Sequence, residues 1–134
     1  MLTKQTSLMI VESQPMMRTA LSTALSAEGM TVLAEVADSQ DALQVASRLT
    51  PDLILFSVKD PNFSDLGRIS VLRQELPNTL IVALITGEFR GQFQSALDYG
   101  AHLVLTKSTP RYELLNAIQQ MVQQKVYPAS LQVN

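Results

Sequence analysis

Ser57 closes residues 51–57, PDLILFS, a run that reads as a buried strand opening into a loop. Where strands and helices alternate, the loops at the carboxyl ends of parallel strands carry the chemistry. Ser57 brings a neutral hydroxyl to such an end, with one proton to donate and lone pairs to accept. Four other residues follow strand-like runs in the same way: Glu12 and Ser13 after the first, Thr86 after the fourth and Lys107 after the fifth. Magnesium demands octahedral oxygen ligands, usually one or two carboxylates joined by phosphate oxygens. Glu12 alone is a thin magnesium site, so no metal is expected there. Lys107 can neutralise Glu12 across the pocket, and Thr86 reads as a strand-end hydroxyl bonded to nearby backbone. Asp52 starts the third strand, at the wrong end of the sheet, and Asp60 lies in the loop three residues past Ser57. Both read as solvated surface carboxylates.

Other residue types offer less. His102 is the single histidine and, following a helix end, reads as a surface residue. Gly87 and Gly91 lack the spacing of a phosphate-binding loop. There are no cysteines, which excludes disulfides and thiolate metal sites. With a net charge of −2, the chain lacks the basic balance expected of a nucleic-acid surface. No apolar run approaches the roughly 20 residues needed to cross a bilayer, and the first residues are too polar for a signal peptide. A soluble cytoplasmic protein is expected. At 134 residues, 46% of them apolar, the chain can bury the core of one domain.

Strand-like and helix-like segments alternate five times. Ser7–Val11, Thr31–Val36, 53–56, Leu80–Ile85 and 103–105 read as strands. Met17, Ala20, Leu21, Ala24 and Leu25 recur at helical spacing between Pro15 and Gly29. Ser39 is placed to cap a helix carrying Ala42, Leu43, Ala46 and Leu49, which Pro51 stops. Leu66, Ile69, Leu72 and Leu76 form a third helical stripe, ended by Pro77. Phe89, Phe93, Ala96 and Leu97 form a fourth, closed by Gly100. Thr109 as cap with Pro110 at the first helical position opens the last, lined by Leu114, Leu115, Ile118, Met121 and Val122. Such alternation predicts an α/β fold: a doubly wound, flavodoxin-like parallel sheet of five strands in the order 2-1-3-4-5. Residues 1–126 are expected to form the domain and 127–134 a linker-like tail.

Over nearly its whole length this pattern resembles a bacterial response-regulator receiver domain. Residues 100–107, GAHLVLTK, are similar to the G-A-x-G-Y-L-L-K of the LuxR/NarL-type subgroup, and 125–128 to the end of its last helix. The resemblance implies roles for strand-end positions. In the family an acidic pair after the first strand holds magnesium; here it is Glu12 and Ser13. The position of the aspartate that accepts phosphate in the family falls on Ser57. Pro61 matches the proline of the following loop. The switch hydroxyl falls on Thr86 and the phosphate-contacting lysine on Lys107, while the position of the aromatic residue that rotates on activation holds Val104, which has no ring.

Serine cannot form the acyl phosphate that aspartate forms. The resemblance therefore implies a pseudo-receiver: a regulatory domain of a two-component-type regulator, not an enzyme, without cofactor and not switched by aspartyl phosphate. It would act through contacts with a protein partner or a second copy, made by the C-terminal helix and strand surfaces, with no direct contact to nucleic acid or membrane. A helix-turn-helix usually follows such receivers. Two rival readings differ in chemistry. A conventional phospho-receiver would use a displaced acidic residue. A flavodoxin-like flavin binder would need a Ser/Thr/Gly-rich phosphate loop after the first strand, which residues 12–15, ESQP, do not provide.

Overall fold

The computed structural model describes residues 5–59, 63–87 and 91–124. Five strands, β1 (Ser7–Val11), β2 (Thr31–Val36), β3 (Leu53–Ser57), β4 (Leu80–Ile85) and β5 (Leu103–Thr106), form one parallel sheet in the order β2-β1-β3-β4-β5. Between them run α1 (Pro15–Ala27), α2 (Ala42–Leu49), α3 (Phe63–Glu75) and α4 (Gln92–Asp98), and α5 (Arg111–Gln123) follows β5. This is the topology expected from the alternation. It places the carboxyl ends of β1, β3, β4 and β5 along one edge.

Strand alternation divides the core in two. Met9, Val11, Ile54, Phe56, Ile81, Ala83 and Ile85 face one side, packed with α2, α3 and α4 through Ala46, Ile69, Leu72 and Ala96. Leu8, Ile10, Leu53, Leu55, Val82 and Leu84 face the other, packed with α1 and α5 through Leu21, Leu25, Leu114 and Ile118. Both faces are covered, which explains why β4 is apolar throughout and β3 is apolar up to its last residue, Ser57. One irregularity breaks the period. Leu8 pairs with Val32 but Met9 pairs with Ala34, so Leu33 is an extra residue in β2.

Helix ends follow local chemistry, with two corrections. Pro15 sits at the start of α1 as expected, and Gly29 past its end adopts φ 88°, where glycine is unstrained. Ser39 does not cap α2. Residues Ser39–Asp41 form a 3-10 turn whose cap is Asp38, its carboxylate accepting from the Gln40 amide at 2.9 Å. The carboxylate reaches that amide at a distance the extended backbone of Asp38 sets, which frees the Ser39 hydroxyl for a distant partner. Pro110, not Thr109, is the N-cap of α5; the Thr109 hydroxyl instead lies 2.8 Å from that of Thr106. Phe89, Asp60, Pro61 and the segment from 125 onward, including the expected boundary at 126–127, lie outside the described residues.

Candidate functional site

Parallel register brings the strand-end residues together. Val11 pairs with Phe56, so the next residues, Glu12 and Ser57, are neighbours across β1 and β3. Backbone bonds fix the chain at the strand tips. The Glu12 amide donates to the Val36 carbonyl at 2.9 Å, the Val58 amide to Leu84 at 2.8 Å and the Lys107 amide to Ile85 at 2.7 Å. The loops therefore leave the sheet from fixed points.

Glu12 is 1% exposed and Ser57 6%. The Ser57 hydroxyl donates to Glu12 Oε1 at 2.6 Å, a short charge-assisted bond. Glu12 Oε2 accepts from the Gln14 amide at 2.9 Å. Lys107 Nζ lies 3.8 Å from Glu12 Oε1, on the more open side. A buried carboxylate is costly unless paired and hydrogen-bonded; here one hydroxyl, one amide and one ammonium meet that demand. The Glu12–Lys107 pair sums to zero formal charge, and Ser57 adds none.

The remaining predicted residues are less tightly joined. Ser13 is exposed beside the same opening, its carbonyl 3.4 Å from Arg18 Nη1, which also donates to the Glu12 carbonyl at 2.9 Å. Thr86 is half-buried directly past β4. Val104 is buried in the core between the sheet and α4, alongside Ala83 and Ala96. Asp52 lies at the opposite end of the sheet, where its carboxylate accepts from the Ser7 amide at 2.9 Å and hydroxyl at 3.1 Å.

The structure adds residues that the sequence reading passed over. A cleft of about 500 Å³ opens beside Ser57, bounded by Ser13, Asp38, Lys59, Asp65 and Arg68. Asp65, in the first turn of α3, is buried at 5% exposure. Its carboxylate accepts from the Lys59 amide at 2.8 Å and the Ser39 hydroxyl at 2.7 Å, and Arg68 Nη1 lies 3.4 Å away. A signal was available: Asp65 is in helical phase with Ile69 and Leu72, so a charge sits on the buried stripe. His102 also departs from expectation. It is not a free surface residue, because its Nδ1 accepts from the Ile81 amide at 3.0 Å while its own amide donates to the Ile81 carbonyl at 2.8 Å. Burial, with Arg73 nearby, lowers its pKa to about 4. Among the described residues, no group of three or more His, Asp and Glu side chains could hold a metal ion, and no helix is long and apolar enough to cross a membrane.

A five-stranded parallel sheet in this order, with polar residues gathered at the strand tips, defines a flavodoxin-like fold. Residues 8–119 match the family model of the response regulator receiver domain, and the chain belongs to that family. It is similar to the nitrate/nitrite response regulator protein NarL of Escherichia coli K12, 28% identical over 85% of this chain and 53% of the relative. It is likewise similar to the uncharacterized transcriptional regulatory protein YxjL of Bacillus subtilis, 32% identical over 81% of this chain and 50% of the relative. The chain thus spans about half the length of these curated relatives. Among solved structures, the receiver domain of the putative response regulator NarL from Mycobacterium tuberculosis superposes with a TM-score of 0.80 at 23% identity, covering 90% of this chain and 98% of that one. At that identity the likeness speaks to the fold.

Proposed function

We propose that this receiver domain of a LuxR/NarL-type response regulator is a pseudo-receiver, which regulates through protein contacts and not through aspartyl phosphate. The observation that carries the reading is the 2.6 Å hydrogen bond from Ser57 to Glu12. At the tip of β3, where the family resemblance puts an acceptor carboxylate, a hydroxyl is spent on the buried carboxylate of Glu12. Ser57 stands for the acceptor, Glu12 and Ser13 for the acidic pair, and Thr86, Val104 and Lys107 for the switch set. The output would run through helix and strand surfaces near the carboxyl end, to a partner protein or a second copy, in the cytoplasm, without enzymatic activity and without direct contact to nucleic acid. A displaced acceptor finds little support at the described carboxylates. Asp65 is buried and fully engaged, Asp52 is at the far end, and Asp38 caps the 3-10 turn.

The test is labelling with acetyl phosphate and magnesium. The wild-type chain is expected not to label. Ser13→Asp combined with Ser57→Asp restores the missing carboxylates beside Thr86 and Lys107, and is expected to label. Equal labelling of wild type and double variant would identify another acceptor and overturn the proposal.

A further inference from the structure

Two loops flank the Ser57 cleft: the turn after β2, carrying Asp38 to Gln40, and the segment after β3, carrying Val58 and Lys59. In a metal-dependent site, a divalent cation draws such loops together by collecting their oxygen ligands. Ser13 and Ser57 offer that cation no carboxylate here. Yet the two loops are joined through Asp65. One carboxylate oxygen takes the Lys59 amide at 2.8 Å, which fixes the backbone two residues past Ser57. The other takes the Ser39 hydroxyl at 2.7 Å, which fixes the turn after β2. Arg68, one helical turn on, donates to Ser39 Oγ at 2.9 Å and sits 3.4 Å from the carboxylate. Three residues from two separate elements thus close a ring of two short hydrogen bonds and one 3.4 Å ion pair, and its hub is only 5% exposed.

We propose that Asp65, Ser39 and Arg68 form a latch that holds the loops after β2 and β3 together without a metal, so that the cleft beside Ser57 is permanently assembled. The latch rests on the pseudo-receiver reading in one respect, that magnesium is not the organiser of this pocket. Its charges close on themselves: Arg68 balances Asp65, as Lys107 balances Glu12 at the neighbouring strand tips. The positions of the Lys59 backbone and of the turn at Ser39 are then set by side chains that are always present, and not by a ligand whose concentration varies.

Amide hydrogen exchange on the full chain tests this, with and without millimolar magnesium chloride. In wild type the Lys59 amide is expected to be protected, at a rate that magnesium does not change. Asp65→Asn and Ser39→Ala are each expected to speed its exchange by about tenfold or more, while the Val58 amide, bonded to Leu84 in the sheet, keeps its protection. Ser39→Ala removes only a hydroxyl and keeps the measurement informative should Asp65→Asn fail to fold. An unprotected Lys59 amide in wild type, unaffected by magnesium, would overturn the latch alone. Protection that appears only with magnesium, together with shifts centred on Glu12, would overturn both the latch and the metal-free reading.

Discussion

At the scale of single residues, the pocket is a problem of burying one carboxylate. Glu12 is enclosed at 1% exposure and depends on its donors. Ser57→Ala removes one of them and, among the described residues, leaves Oε1 with Lys107 at 3.8 Å. A hydrogen bond to a charged group contributes about 1.5–3 kcal/mol, so Ser57→Ala is expected to lower unfolding free energy by about that much. Urea denaturation checks it, and an unchanged midpoint would show that water replaces the hydroxyl. His102 gives the second residue-scale prediction. Its folded pKa is about 4 against 6.5 in the unfolded chain, because burial and Arg73 disfavour the imidazolium. Between those values the unfolded chain binds the extra proton. The contribution of His102 is therefore fully present above pH 6.5 and is lost as pH falls toward 4. The slope is at most about 1.4 kcal/mol per pH unit, less with solvent screening. Denaturation midpoints measured across that window should fall with acidification, and His102→Gln should flatten the trend. An identical pH profile in the variant would remove His102 as its source.

At the scale of elements, the order of strands and helices was legible because each leaves a periodic or punctuating mark. Residues 80–85 are apolar throughout since both faces of β4 are covered, and Pro15, Gly29 and Pro51 stand where helices begin or end. The strand-end residues were legible too, because parallel strands deliver their last residues to one edge. What was not legible is side-chain pairing across long sequence distances. Ser39 meets Asp65 26 residues away, and a serine before an apolar stripe reads locally as a cap. His102 was misread for a related reason: its acceptor role depends on the register between β4 and β5, which no local pattern encodes. The link between α4 and β5 supplies the prediction at this scale. Gly100 has φ 122°, and a Cβ placed on it would lie 2.9 Å from Arg73 Cβ, while the Arg73 guanidinium donates to the Gly100 carbonyl at 2.7 Å. Gly100→Ala adds backbone strain and a clash together. It is expected to cost about 1–3 kcal/mol, read as a lowered melting temperature. A variant as stable as wild type would mean that α3 can shift to accommodate the methyl group.

At the scale of the whole molecule, the two apolar layers share one sheet, so neither can be lost without exposing the other. Among the described residues the sheet ends in two edge strands, β2 and β5, each paired on one side only. Any such rim presents backbone amides and carbonyls to a neighbouring chain, and proteins blunt these rims to remain dispersed. The extra residue at Leu33 falls on the β2 rim, where it breaks the even spacing of those groups and turns a 40%-exposed leucine outward. An irregular rim is a poorer template for an added strand than an even one. Deleting Leu33 would keep Val32 opposite Leu8 and Ala34 opposite Met9, but would straighten the rim between them. Such a variant is expected to fold and then to aggregate faster than wild type on warming, followed by light scattering. If it stayed as dispersed as the parent, whatever blunts the rim would have to lie elsewhere along it, with Glu35 the nearest exposed charge.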